Sequence, residues 1–284
     1  FVTLCPGLPV ADFSNWRSSF LPGVYQGTYL DTRKKEVESL VANIRNKTLP
    51  LDAQRQQLDL LAKLNRRHRE TRKEDPFLEA RIASFELAFR MQLEATDALD
   101  LSNETRSTHK LYGTDKLHGR QMLMARRLCE SGCRFVTVHS PGWDMHADKN
   151  NPGMVTGMEM LGRTADQAVS TFLEDVAQRG LSKKILLILS GDFGRTPKVN
   201  KTGGRDHYPG VFSAVLCGGG IQGGAVVGSS DSKGALPKDR PVHPQDVLAT
   251  MYRHLGIDTT EQYVDFAGRP HPVLPFGDPI DELF

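Results

Sequence analysis

The chain has 284 residues, of which 39% are hydrophobic, so it can form the buried core of a globular protein. Lysine and arginine total 36 against 34 aspartate and glutamate residues, and this balance gives no global electrostatic reason to expect nucleic acid or an anionic membrane as a partner. No apolar stretch approaches the roughly 20 residues that cross a bilayer, so we predict no membrane span.

The first two predicted segments differ in their periodicity. Residues 1–32 are rich in proline, glycine and aromatic residues without a sustained period, which predicts an irregular N-terminal segment packed on the core. Residues 33–132 follow a helical period, which predicts a helical region. Two apolar stripes carry this prediction: Val37, Leu40, Val41 and Ile44, then Leu78, Ile82, Phe85, Phe89 and Leu93.

The third segment, residues 133–284, alternates short apolar runs with helical or loop sequence. Residues 134–139, 184–190 and 210–217 are typical of buried strands, and residues 154–180 between the first two are typical of a helix. Such a βαβ unit predicts the α/β class, with a mostly parallel sheet between two helical layers and residues 33–132 as a helical insertion.

Ligand-type side chains follow the predicted strands. Ligands of parallel sheets gather at the carboxyl ends of the strands, and Asp144 with His146 follows the first strand there. Asp144 and His146 are two residues apart, so in an extended loop both side chains can point to one side. Together with His207 they offer a carboxylate and two imidazoles, which suit zinc, manganese or iron. A hydrogen-bonded turn is the alternative for the pair alone. A metal site is favoured because ligand-type residues also stand near the next two predicted strands, with Asp192 after the second and His207 just before the third.

Two arginines near these residues are candidate anion ligands. The guanidinium groups of Arg195 and Arg205 match the oxygens of phosphate or sulfate. Salt bridges to Asp192 or Asp206 are the alternative for both. The glycines of a GxGxxG spacing, Gly218, Gly220 and Gly223, precede sequence that indicates a strand and a turn, so they are weak evidence for a dinucleotide site.

Several motifs together resemble the DUF1501 family, whose uncharacterised members are placed in the alkaline phosphatase and sulfatase superfamily. The resemblance runs from LCPGLPVADFSNWRSSFLPGVYQGTYLD through WDMH, GDFGRTP and GRDHYP to GRP near the end. It implies an alkaline phosphatase-like fold, a divalent metal (zinc, manganese or calcium), and metal-assisted attack on phosphate or sulfate esters. By position, Asp144, His146 and His207 resemble ligands of one metal, Asp192 resembles a ligand of a second, and Asp206 is expected to support them.

The chain departs from the superfamily pattern in ways that affect these expectations. Asp144 and His146 stand closer than the usual ligand spacing, and Phe193 replaces a frequent histidine, so both departures weigh against a two-metal arrangement. Relatives have an additional strand before the LCPGLPV-like segment, which implies that this chain is the C-terminal portion of a longer protein. We therefore expect it to pair with that N-terminal portion or with a second copy. Relatives are often exported, which implies the same location here.

Two functions remain open from the sequence. The first is a hydrolase-like protein acting on small-molecule or glycan phosphate or sulfate esters, incomplete in this chain. Ser140 stands nearest to a nucleophile, but it precedes a proline and has no obvious base, so we expect weak turnover or none. The second is a non-catalytic module that binds a cation or an anionic glycan through the same loops.

Overall fold

The computed structural model describes residues 1–8, 16, 25–40, 48–70, 82, 86, 96–265 and 267–284. These residues form two compact units. The first comprises Phe1–Pro141 with Thr164–Phe172, and the second comprises Gly142–Arg163 with Leu173–Phe284. No described helix is long and apolar enough to cross a bilayer. The three-segment division drawn from the sequence stays a prediction.

A small parallel sheet forms the centre of the first unit. Strand β1 (Val2–Cys5) lies between β2 (Thr28–Asp31) and β3 (Val136–Val138), and it is parallel to both. The prediction that residues 1–32 are irregular is therefore wrong for two stretches. Their strands have four residues each, and in the central strand three consecutive residues are buried, so no alternating pattern marks them.

Helices of the first unit include α1 (Val37–Leu40), α2 (Leu51–Glu70), α3 (Arg106–Tyr112) and α4 (Leu117–Glu130), with a 3-10 turn at Leu101–Asn103. Helices α1 and α4 pack apolar side chains on the sheet. The buried cluster at this contact consists of Leu4, Leu30, Leu40, Ala98, Leu99, Met124, Ala125 and Leu128. Of the second predicted stripe, Ile82 is helical and the other four positions lie outside the described residues, as do Val41 and Ile44.

An ionic cluster is buried beside this core. The guanidinium of Arg126 is 1% exposed and lies 2.7 Å from a carboxylate oxygen of Glu104, which also accepts a hydrogen bond from Arg127. Glu130 contacts Arg126 from the next helical turn. Burial raises the pKa of Glu104, but the hydrogen bonds from Arg127 and Arg126 outweigh it, so this pKa lies below its ordinary value.

The second unit is built from short antiparallel pairs. Strand β4 (Leu186–Leu189) pairs with β7 (Val215–Gly218), and β5 (Gly194–Arg195) pairs with β6 (His207–Tyr208). Two more pairs follow: β8 (Ser229–Ser230) with β9 (Pro237–Asp239), and β10 (Gln262–Val264) with β11 (Pro270–Pro272). Helix α6 (Pro244–Leu255) and a 3-10 turn at Asp281–Leu283 complete this list.

The predicted strands form, but their pairing differs from the prediction. Helix α5 (Met154–Gln178) confirms the predicted helix, while β3 pairs with β1 and β4 pairs antiparallel with β7. The expected parallel pairing of these three strands is therefore wrong, because an apolar run indicates burial and does not specify the partner. The chain mixes helices and strands and contains a small parallel sheet, and the three-layer arrangement stays a prediction. The glycine spacing after β7 leads to turns and β8, as expected.

Candidate metal centre

Three predicted ligands converge in the second unit. One ligand atom each from Asp144, His146 and His207 lies within 4.8 Å of the other two, as predicted from the sequence. A side-chain oxygen of Asp144 is 2.9 Å from Nε2 of His207 and 3.6 Å from Nε2 of His146. The two Nε2 atoms are 3.1 Å apart. Ligand atoms that share one tetrahedral zinc ion at about 2.0–2.2 Å lie about 3.3–3.6 Å apart, which is close to these three separations, so the residues fit a single cation.

The segment that carries Asp144 and His146 is held by the residue between them. Met145 is 8% exposed, whereas neither Asp144 nor His146 is buried. It packs on Gly157 in helix α5, where a Cβ atom would lie 2.8 Å from the Met145 sulfur. The apolar contact below therefore directs both polar side chains to one face.

A loop returns to this segment and closes on its backbone. Asn200 donates a hydrogen bond of 2.9 Å to the carbonyl of His146, and its own side-chain oxygen accepts from the amide of Gly204. A Cβ atom on Gly204 would lie 2.1 Å from the carbonyl carbon of His146, so this position requires glycine. The amide of Arg205 then donates to the carbonyl of Met145. These bonds bring the loop to the point where His207 follows.

Strands β5 and β6 place His207 beside Arg195. These two residues are paired across the antiparallel ladder, so their side chains share one face. The neighbouring Gly194 is buried, and a Cβ atom there would lie 2.0 Å from the carbonyl oxygen of Val211. The FGR sequence therefore packs closely against the chain after β6, which fixes where Arg195 points.

The imidazole of His146 is oriented by the backbone. Its Nδ1 atom lies 2.8 Å from the carbonyl oxygen of Arg205, so Nδ1 carries the proton and donates it. Nε2 is left with its lone pair facing Asp144 and His207. A backbone carbonyl on the far ring nitrogen is a common way of fixing a metal-binding histidine, and it sets the required tautomer before any ion arrives.

The Asp144 carboxylate lies among positive or potentially positive groups. Arg195 donates from Nη2 to the same carboxylate oxygen at 2.9 Å. The hydrogen bond with His207 lowers the pKa of Asp144 most, and the charges of His207, Arg195 and His146 lower it further against the opposing effect of burial. The carboxylate is therefore held in the anionic form that a cation requires.

The remaining predicted residues surround the three ligands. Asp192 lies 3.6 Å from Arg195 and outside the cluster of ligand atoms, so it is placed as a neighbour of the arginine. Asp206 lies 3.6 Å from Nδ1 of His146, on the far side of that ring. Arg205 donates to the carbonyl of Thr196, so its side chain is engaged by its own loop. Arg195 forms its shorter ion pair with Asp144, a partner that the sequence did not suggest.

Two neighbours of the site were missed in the sequence, and a third, Phe193, was noted there only as a departure from the superfamily pattern. Asn200 and Gly204 hold the return loop, and their only sequence signal is an asparagine and glycines between two ligand motifs. Phe193 packs its ring on His207, with ring centres 4.5 Å apart, and it also lies beneath the Arg195 guanidinium. An aromatic ring at this position braces one ligand and one arginine, and it supplies no ligand atom of its own.

Comparisons with known proteins give one result. No curated protein and no solved structure matches the chain. Its sequence does match the family described as "Protein of unknown function (DUF1501)" over residues 1–284. The match covers the segments that carry the cluster of Asp144, His146 and His207, and the chain belongs to the DUF1501 family.

Proposed function

We propose that the chain binds one divalent cation through Asp144, His146 and His207 and is a hydrolase-like protein for phosphate or sulfate esters. The observation that carries the proposal is the convergence of three ligand atoms from separate segments, with the His146 tautomer fixed by a backbone carbonyl. A carboxylate and two imidazoles suit zinc or manganese, and the sequence resemblance adds calcium.

The residues around the ligands are arranged for an anionic ester. A bound cation would polarise the ester and offset the negative charge that develops during hydrolysis. Arg195 is 25% exposed, so its guanidinium is accessible beside Asp144. Its fork of N–H donors matches the oxygens of phosphate and sulfate, and we assign it to hold the anionic group of a small-molecule or glycan ester. The alkaline phosphatase and sulfatase superfamily is part of this proposal, as is export from the cell.

A non-catalytic module is the second candidate, and Phe193 favours it. The aromatic ring packs on His207, and Phe193 stands where the superfamily pattern often has a histidine, so it offers no ligand atom for a second metal. A single cation beside Arg195 is sufficient to bind an anionic glycan without cleaving it. Turnover and binding therefore have to be measured separately.

Metal binding is tested by calorimetric titration of the metal-free protein with zinc, manganese and calcium. We expect one ion per chain and a loss of more than about 100-fold in affinity for Asp144→Ala and for His207→Ala, because even supporting residues are worth about 10–100-fold. His271→Ala is the matched control, since His271 pairs with a carboxylate oxygen of Asp265 at 3.1 Å outside the cluster. Binding that His207→Ala leaves unchanged would contradict the proposal.

Turnover is tested with aryl phosphate and aryl sulfate in the presence of the tightest-binding ion. Metal-dependent hydrolysis that Asp144→Ala abolishes supports the hydrolase. Metal-dependent binding of a sulfated glycan without hydrolysis supports the second candidate. Arg195→Lys discriminates further, because it keeps the charge and loses the fork, so it should weaken anion binding while metal affinity is retained.

A further inference from the structure

A histidine and a serine in the first unit make a short contact that the metal centre does not use. Nε2 of His118 lies 2.5 Å from Oγ of Ser140. His118 is in the first turn of helix α4, and Ser140 follows the carboxyl end of strand β3. Both side chains are partly exposed. The sequence places them 22 positions apart, which is why no base was evident for Ser140.

A hydroxyl on the other side of the imidazole orients the ring. Nδ1 of His118 lies 3.0 Å from Oγ1 of Thr164. With the proton on Nδ1 donated to this oxygen, the Nε2 lone pair faces the Ser140 hydroxyl. Burial lowers the pKa of His118, so the ring is neutral at physiological pH and can accept a proton. Ser140 as nucleophile, His118 as base and Thr164 as the group that orients the base are therefore connected by consecutive hydrogen-bonding contacts.

The elements that carry the pair are fixed to each other. Gln121, one turn after His118 in helix α4, is fully buried. Its amide donates to the carbonyl of His139 at 3.1 Å and to the hydroxyl of Thr32 at 3.0 Å. Helix α4 is thus tied to the residue directly before Ser140 and to the end of β2. The pair lies at the carboxyl edge of a parallel sheet, where such sheets bind ligands.

We propose that Ser140 and His118 form a nucleophile and general base pair that transfers acyl groups from small carboxylic esters. Oγ of Ser140 attacks the carbonyl carbon while its proton moves to Nε2 of His118. The bond from that carbon to the leaving oxygen then breaks, and the leaving alcohol takes the proton from Nε2. Water repeats the sequence on the acyl-serine: it loses a proton to Nε2, releases the carboxylic acid, and restores the serine hydroxyl.

The test uses a fluorophosphonate probe on the full chain with EDTA present, so that its outcome is independent of the metal centre. The probe forms a bond from phosphorus to Ser140 Oγ and releases fluoride. We expect peptide mapping to find the adduct on Ser140 and to find no labelling of Ser140→Ala. In His118→Gln the labelling rate should fall by at least about 100-fold, because a general base contributes about 10²–10⁴-fold. Mapping of the unmutated protein keeps the test decisive if a variant fails to fold.

Matched controls lie in the same unit. Ser170 is an exposed serine bonded to a backbone carbonyl, and His109 bonds a threonine hydroxyl and a backbone carbonyl, so Ser170→Ala and His109→Gln should label as the unmutated protein does. Thr164→Ser should keep the rate and Thr164→Val should lower it, which a merely structural role would not distinguish. An absent adduct, an adduct on another residue, or equal rates for His118→Gln and the unmutated protein would overturn the proposal.

Discussion

The strands of the two units differ in how far their side chains are buried. In the first, the strand residues Leu4 and Leu30 are at most 1% exposed and pack into one apolar cluster. In the second, no described residue of the paired strands β4 and β7 is buried, and Val215 is 52% exposed. Burial of apolar area is the main stabilising term in folding, so the strands of the first unit gain more from packing than the half-exposed pair of β4 and β7 does in the second.

The same contrast separates two arginine–carboxylate pairs. Arg126 and Glu104 are 1% and 8% exposed, and each meets a further charged partner. Arg195 and Asp144 are 25% and 48% exposed at a similar distance. Removal of one partner from a buried ion pair lowers the free energy of unfolding strongly, because the remaining charge stays out of water. A half-exposed pair can exchange its partner for an ion or a ligand, which is what a binding site requires.

The largest effect is expected from Glu104→Gln. Removal of this charge takes away one of the two carboxylates that contact the buried Arg126, and we expect the free energy of unfolding to fall by about 3–5 kcal/mol. Chemical denaturation measures it. Asp59→Asn is the control, since Asp59 and Arg55 form a pair in which both side chains are 49% exposed. That control should change stability by less than about 1 kcal/mol. Equal effects of the two changes would remove the contrast between buried and exposed pairs.

Truncation of apolar side chains sharpens the comparison of the units. Leu4→Ala opens a cavity at a position that is 0% exposed, and we expect it to cost about 3 kcal/mol. Val215→Ala removes a smaller and half-exposed side chain, so we expect it to cost less than about 1 kcal/mol. Both values come from urea titrations of the full chain. A larger cost for Val215→Ala would mean that the second unit relies on packing as much as the first.

Asn200→Ala tests whether the return loop serves the site. The asparagine bonds the His146 carbonyl and the Gly204 amide, so its loss should weaken metal binding by about 10–100-fold while far-ultraviolet circular dichroism stays unchanged. Gly223→Ala is a control for loop changes in this unit, because a Cβ atom there meets open space. Unaltered affinity in Asn200→Ala would separate the loop from the metal centre.

The smallest expected effect is on the stability of the protein at acidic pH. Hydrogen bonds from the Arg269 amide and from the His271 ring lower the pKa of Asp265 to about 2. Because this folded-state pKa lies below the unfolded value, the carboxylate stabilises the fold above about pH 4 and loses that contribution as the pH falls toward 2. Asp265→Asn should therefore flatten the decline of the thermal midpoint between pH 4 and pH 2. A carboxyl titration midpoint near 4 by NMR would contradict the expectation.

The sequence predicted the site better than the sheet that surrounds it. Residue type, together with the expected convergence of three strand ends, selected Asp144, His146 and His207, because metal-ligating chemistry belongs to few side chains. Apolar runs located strands near 136, 186 and 215, but pairing depends on long-range contacts that a run does not encode. Strand β1 lacked an alternating pattern since both of its faces are covered. The contact of His118 with Ser140 could not be predicted from the sequence either, because it joins a helix and a strand end that come together only in the folded chain.

His146 and His207 are separated by 61 positions along the chain, and the rings meet through Nε2. A cation held by both rings would act as a reversible cross-link that closes a long loop in the unfolded chain. In the chain-entropy treatment of cross-links, closure of a loop of this length removes about 4 kcal/mol of conformational freedom from the unfolded state. Depletion of the ion would remove this contribution, so metal supply would change the stability of the folded chain as well as its chemistry.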